Sequence, residues 1–248
     1  MKIVKLPWAG IKLEHNHTSI VIDPFYNFPA DLGTPAGKLI PLDEFGKPDA
    51  VFLTHVHPDH FDPEAIKQFY GESIPIYVPI EVVEYVAGYG LTSVVGVTLK
   101  DVVTVGAFSI VPTFSVDGLG DPQVAWIVKA GGKTVIHCGD TLWHGYWWKM
   151  KQDHGPFDAA FLPVNGPVVQ LPFIMPASKQ PIVMTPEQSV SAAMALEVNY
   201  LVPIHYELVN NPPYYTPTAD IISRVNQSAE ENQVKVKWLE AKETLTLT

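Results

Sequence analysis

Residues 52–62 read FLTHVHPDHFD. The apolar run at 50–53 ends in Thr54, and His55, His57, Asp59 and His60 then follow within six positions. Residues two apart in extended backbone face the same way, so His55 and His57 are placed to grip one cation. Pro58 bends the path and turns Asp59 and His60 toward a second position close by. Imidazole and carboxylate together suit zinc, iron or manganese, and the lack of a neighbouring cysteine argues against a structural zinc clip. Asp62-Pro63-Glu64 reads as an N-cap, a proline at the first helical position and an acidic first turn, with Phe61 and Ile66 as the hydrophobic staple across it. Ligand types and scaffold agree, which four polar residues in a solvated loop do not explain.

Outward from this stretch, short apolar runs punctuated by turns predict strands near 20–22, 50–53, 76–78, 108–111, 124–128, 134–137, 159–162 and 200–204, and a charged alternating strand at 234–238. Gly131-Gly132 reads as a hairpin turn. Runs apolar on both faces predict strands covered by further layers. Thr185-Pro186-Glu187-Gln188 is a capping box that opens an alanine-rich helix to Glu197, and a last helix is expected over about 218–228. No linker, repeat or low-complexity tract interrupts residues 1–248, so the expectation is one domain, two sheets with helices outside.

Composition excludes several classes. The formal net charge is −10 with no lysine or arginine run, which disfavours nucleic acid and anionic membrane surfaces as partners. No apolar stretch approaches the ~18 residues that span a bilayer, and the N-terminus lacks the apolar core of a signal peptide. The single cysteine, Cys138, excludes an internal disulfide. The expectation is a cytoplasmic protein. The 23 prolines point to many shaped loops rather than long helices.

The order of the motifs resembles the metallo-β-lactamase superfamily of metal-dependent hydrolases. The signature H-x-H-x-D-H follows a strand, as it does in that family, and the likeness runs over nearly the whole chain. The resemblance implies an α/β, four-layer αββα sandwich with the metals at one edge. It also implies that Asp23, ending IVID, supports the site from behind. Asp140 in HCGDT corresponds to the carboxylate that bridges two metals, and His205 in VPIHY to the late histidine of the second metal. Between the histidine cluster and GDT the family places a further histidine. Here that interval is VPTFSVDGLGDPQ, residues 111–123, and it has none. Asp117 is the best substitute, since a carboxylate oxygen replaces an imidazole nitrogen on zinc at nearly the same ~2.0–2.2 Å. The other reading of Asp117 is a turn residue, with the first metal weak or absent. Asp121 reads as a turn or supporting group.

The implied metal set is thus His55, His57, Asp59, His60, Asp117, Asp140 and His205. It would hold one or two divalent ions, zinc first, with manganese or iron as alternatives. The implied chemistry is hydrolysis by a metal-activated water on an ester, lactone, amide or phosphodiester of a small substrate. Asp59 is a candidate for moving the proton to the leaving group, and His144 in DTLWHGYWW is either a second candidate acid or a packing histidine. His15, His17 and His154 read as surface residues and His137 as a hydrogen-bonded interior one. Trp143 is the aromatic expected at the pocket, with Trp147 and Trp148 packed in the core, while Tyr214 or Tyr215 is placed to reach the same mouth. The aperiodic 166–184 segment, which includes Phe173, Ile174 and Met175, is read as a lid over the site or as a homo-oligomer contact. Two alternatives remain on the page. One is a metal-binding or assembly protein with weak or lost activity. The other is a di-iron redox relative, for which the chain has no room left for a flavin domain.

Overall fold

The computed structural model describes residues 1–172 and 174–248, so Phe173 lies outside the described residues. The first six strands form one sheet: β1 (Lys2–Lys5), β2 (Ile11–His15), β3 (Thr18–Ile22), β4 (Ala50–Phe52), β5 (Ile76–Pro79) and β6 (Val94–Val97). They lie side by side in chain order, antiparallel from β1 to β3 and parallel from β3 to β6. The chain then crosses to a second sheet of β7 (Val103–Val105), β8 (Phe108–Phe114), β9 (Val124–Ala130), β10 (Lys133–His137) and β11 (Phe157–Pro163). After the short β12 (Val168–Val169), strand β13 (Val198–Ile204) returns to that sheet parallel to β11. β14 (Tyr215–Thr216) pairs with β12, and β15 (Thr244–Thr246) closes the first sheet beside β1.

The two sheets share one apolar interior. Ile11, Ile20 and Phe52 of the first meet Phe108, Trp126 and Val128 of the second, and the cluster takes in Ile3 and Leu245 near the two ends of the chain. Trp126 is the largest wholly buried side chain in it, a burial worth about 3–5 kcal/mol on truncation to alanine. Its ring meets Phe52 edge-on at 5.0 Å, and its indole N–H donates to the Leu53 carbonyl at 3.0 Å. The Val124 N–H also reaches across, to the Thr54 carbonyl at 3.0 Å. The end of β4 is therefore stitched to β9 where the histidine loop leaves the core.

Helices cover the outer faces. α1 (Pro63–Ala65), continued by a wider turn over Ile66–Tyr70, and α2 (Val83–Ala87) lie on the first sheet. α3 (Trp147–His154), α4 (Pro186–Leu196) and α5 (Ile221–Glu231) lie on the second. The result is the expected αββα sandwich. Among the described residues no helix is long and apolar enough to cross a membrane.

Three expectations need correction. Residues 234–238 form no strand of the sheet; Val236 makes a single bridge to Leu201, and flanking hydrogen bonds of 2.9 and 2.8 Å tie the extended chain there. The last helix starts at Ile221, because Thr218 is engaged elsewhere: its N–H donates to the Asn165 carbonyl at 2.8 Å and its hydroxyl to the Gly166 carbonyl at 3.1 Å. Trp148 is on the outer face of α3 and 55% exposed, whereas Trp147 one position earlier is fully buried. The capping box forms as expected, with the Thr185 side chain accepting from the Gln188 N–H and the Gln188 side chain from the Thr185 N–H. Replacing Thr185→Ala removes that acceptor and is expected to cost about 1 kcal/mol, read as a lower urea midpoint with an unchanged slope.

Candidate metal centre

Every candidate ligand lies just beyond the carboxyl end of a strand. Asp23 follows β3 and the histidine loop follows β4. Asp117 follows β8, Asp140 follows β10 and His205 follows β13. The strand ends of both sheets thus meet along one edge, where α/β folds characteristically place their ligands. Two groups of side chains converge there. His55, His57 and Asp117 have ligand atoms within 4.8 Å of one another, and so do Asp59, His60, Asp140 and His205. The groups adjoin, since the His55 ring lies 4.4 Å from His57 and 4.2 Å from His60.

The second group is drawn tight by its supports. The Asp23 carboxylate is buried and accepts from the Thr54 N–H at 2.8 Å, the Thr54 hydroxyl at 2.6 Å and His60 Nδ1 at 2.9 Å. With its hydroxyl proton given to Asp23, Thr54 Oγ1 accepts from His55 Nδ1 at 2.9 Å. His205 Nδ1 donates to Asn165 Oδ1 at 2.9 Å, and Asn165 Nδ2 donates to the Tyr215 hydroxyl oxygen at 2.8 Å. These bonds fix tautomers: each of the three rings turns its Nε2 lone pair into the site. His60 Nε2 then stands 3.1 Å from Asp140 Oδ1, and His205 Nε2 stands 2.8 Å from Asp140 Oδ2 and 3.3 Å from Asp59 Oδ2.

Nitrogen lone pairs facing carboxylate oxygens repel unless a proton or a cation lies between them. His55 Nε2, His60 Nε2 and Asp140 Oδ1 are all buried without a directed hydrogen bond. Burial alone would lower His60 and His205, but Asp140 and Asp59 outweigh it and raise both, His60 well above the ordinary imidazole range. Burial would likewise raise Asp140, but His205 and His60 hold it well below the usual carboxylate range. His55 is lowered by burial and then by its neighbours His60 and His57. Protons fill the gap where a divalent ion fits, so the residues suit the metals that the fold implies.

The VPTFSVDGLGDPQ loop is a turn that carries the candidate ligand Asp117. Asp117 Oδ1 accepts the N–H groups of Leu119 at 2.7 Å and Asp121 at 3.1 Å, which is turn chemistry. Its other oxygen, Oδ2, points to His57 Nδ1 at 3.8 Å. His57 Nε2 is taken by Asp121 Oδ2 at 2.9 Å, which leaves Nδ1 free for a metal. The loop runs antiparallel to the GDT block through an Asp117–Thr141 bridge, and Gln123 Oε1 accepts the Asp140 N–H at 3.1 Å. Gly139 adopts φ +59, and a Cβ there would sit 2.7 Å from Thr54 Oγ1, so only glycine fits between the histidine strand and Asp140.

His144 falls in neither group. Its ring stacks on Trp147 at 4.1 Å, and burial lowers it to about 4, so it is neutral near pH 7. Trp143 is 37% exposed and packs edge-on against Trp148. Tyr215 is buried in the site network while Tyr214 is 51% exposed. His137 is interior as expected, and its Nε2–H donates to the Ala9 carbonyl at 2.8 Å. Three participants carry no motif: Thr54, Asn165 and Trp8, whose indole N–H donates to Asp59 Oδ2 at 3.0 Å. Asn165 and Trp8 reach the site only through contacts 40 and 51 positions away, which no local pattern encodes.

Asp117→Ala is expected to lower the zinc bound per chain by one equivalent while leaving the other in place, measured by elemental analysis after equilibrium dialysis. Unchanged stoichiometry would return Asp117 to a turn residue.

Comparison with known proteins agrees with this geometry. The chain is 27% identical over 217 residues to a metal-dependent hydrolase of Thermococcus kodakarensis, covering 83% of this chain and 84% of that one. Among solved structures it resembles a metallo hydrolase from Ignicoccus hospitalis (TM-score 0.76, 22% identity, covering 100% of this chain and 98% of that one). It also resembles an isothiocyanate hydrolase from Delia radicum gut bacteria (TM-score 0.78, 20% identity, covering 100% and 99%). The family model of the beta-lactamase superfamily domain matches residues 18–206, a span that holds every candidate ligand from His55 to His205, and the chain belongs to that superfamily.

Proposed function

We propose that this chain is a metal-dependent hydrolase that cleaves an ester, lactone, amide or phosphodiester bond of a small substrate. The observation that carries the reading is the pair of adjoining groups, His55, His57 and Asp117 beside Asp59, His60, Asp140 and His205, whose ligand atoms converge within 4.8 Å in each. His55, His57 and Asp117 would hold one divalent ion, and Asp59, His60, Asp140 and His205 a second, with zinc as the first choice for this donor set. Divalent ions held there supply Lewis acidity, which acidifies water and polarises the oxygen of the scissile group.

The chain's own residues do the rest. Asp23, Thr54, Asn165 and Asp121 hold the four imidazoles in the tautomers that present a lone pair. Asp59 stays ionised, since burial would raise it but His60 and His205 outweigh that, and as a carboxylate it is assigned to accept the hydrogen bond of the attacking water and relay its proton to the leaving group. His144, neutral near pH 7, is assigned to packing instead of acid catalysis. A broad panel of chromogenic esters, lactones, amides and phosphodiesters tests the reading. Zinc-loaded protein is expected to turn over at least one class, and Asp140→Ala to reduce that rate by about 10²-fold or more. Metal binding with no turnover across the panel would leave a metal-binding protein of the same fold.

The 166–184 segment is proposed as a lid. Its return end is pinned beside the ligands: the Met184 N–H donates to the Thr141 carbonyl at 3.1 Å. A Cβ on Gly118, next to Asp117, would lie 2.0 Å from the Ile182 carbonyl oxygen. Residues 175–180 are exposed, Met175 at 78%. Deleting residues 170–178 is expected to change kcat or KM with the sedimentation coefficient unchanged. A changed coefficient with unchanged kinetics would identify an oligomer contact.

A further inference from the structure

The loop between β1 and β2, LPWAG, carries no ligand and matches no motif, yet it forms a wall of the metal centre. Three features hold it there. Leu6 and Gly10 close it with an N–H to carbonyl bond of 2.9 Å. The Lys5 side chain, 3% exposed, turns back beneath it and donates to the carbonyls of Leu6, Trp8 and Gly10. From the other side His137 donates to the Ala9 carbonyl. Gly10 packs so closely that a Cβ would lie 2.8 Å from the Asp23 carbonyl oxygen.

This strapping forces Trp8 into the left-handed region at φ 59, a conformation that a bulky residue adopts only when its surroundings demand it. What it gains is two contacts with candidate ligands. The indole N–H bonds Asp59 Oδ2, the same oxygen that faces His205 Nε2. The ring lies against the His205 imidazole with centroids 4.0 Å apart at 44°. Asp59 has one carboxylate to share among His60, His205 and an ion, and a fixed donor on one oxygen decides how it is shared.

We propose that Trp8 is a positioning residue of the metal centre, whose indole N–H sets the orientation of the Asp59 carboxylate and whose ring sets that of His205. The proposal rests on the reading of these residues as ligands, and its test separates the two. Trp8→Phe keeps an aromatic ring and removes the indole N–H together with the pyrrole ring that carries it. Titrated with Co²⁺, wild-type protein is expected to bind two ions with d–d absorption bands. In Trp8→Phe the weaker affinity should fall about tenfold to a hundredfold, the usual effect of losing a bond behind a ligand, with the bands of that ion displaced. In an Asp59→Asn background the same substitution should cost clearly less, since the partner of the N–H is already altered, and the remainder reports the contact of the ring with His205. Circular dichroism confirms that each variant is folded. If Trp8→Phe matches the wild type in affinity and spectrum, the positioning role is wrong. If the wild type binds no cobalt, the ligand reading fails instead.

Discussion

The site depends first on one buried carboxylate. Asp23 is 1% exposed, and a buried charge without partners costs several kcal/mol. It finds three donors, two on Thr54 and one on His60. Meeting that demand fixes the chain after β4, sets the proton of His60, and through Thr54 sets the proton of His55. The orientation of these candidate ligands is therefore a consequence of satisfying Asp23. Asp23 itself sits at φ 47, so local backbone strain is accepted to aim it.

The same trade appears around the whole edge. Trp8, Asp23 and His205 are all non-glycine residues in the left-handed region, and all meet at the site. Gathering the buried carboxylates of Asp23, Asp59 and Asp140 in one place adds its own cost. The interior pays for both: the sheets share a continuous core from Ile3 to Leu245, stitched by Trp126 at the root of the histidine loop. Stability is concentrated between the sheets, and reactivity is concentrated where their strands end.

The sequence made much of this readable because the key signals are local. H-x-H-x-D-H, the Asp62 cap and the Thr185 capping box each lie within a few residues, and each forms as the spacing predicts. Asp117 is singled out through the family resemblance, because its loop falls where that family places a further histidine, and its carboxylate lies 3.8 Å from His57 Nδ1. Other features depend on distant partners. Trp8 and Asn165 become parts of the site only when the loop after β1 meets the histidine loop after β4 and the end of β11 lies beside that of β13. Trp148 departs from the expected core packing because neighbouring helix positions point about 100° apart, and a run of tryptophans does not reveal which one turns outward. At 234–238 the alternation was real, but the partner strand offers only one bridge.

The strand directions divide the sandwich into unlike ends. Turns at Asn16-His17, Gly106 and Gly131-Gly132 lie opposite the ligands, and they touch: a Cβ on Gly131 would meet the His15 ring, and one on Gly106 the Thr18 side chain. No candidate ligand comes from that end. A tether, a label or a fused module attached there would leave the chemistry facing outward, so the molecule has a built-in handle for immobilisation on a surface.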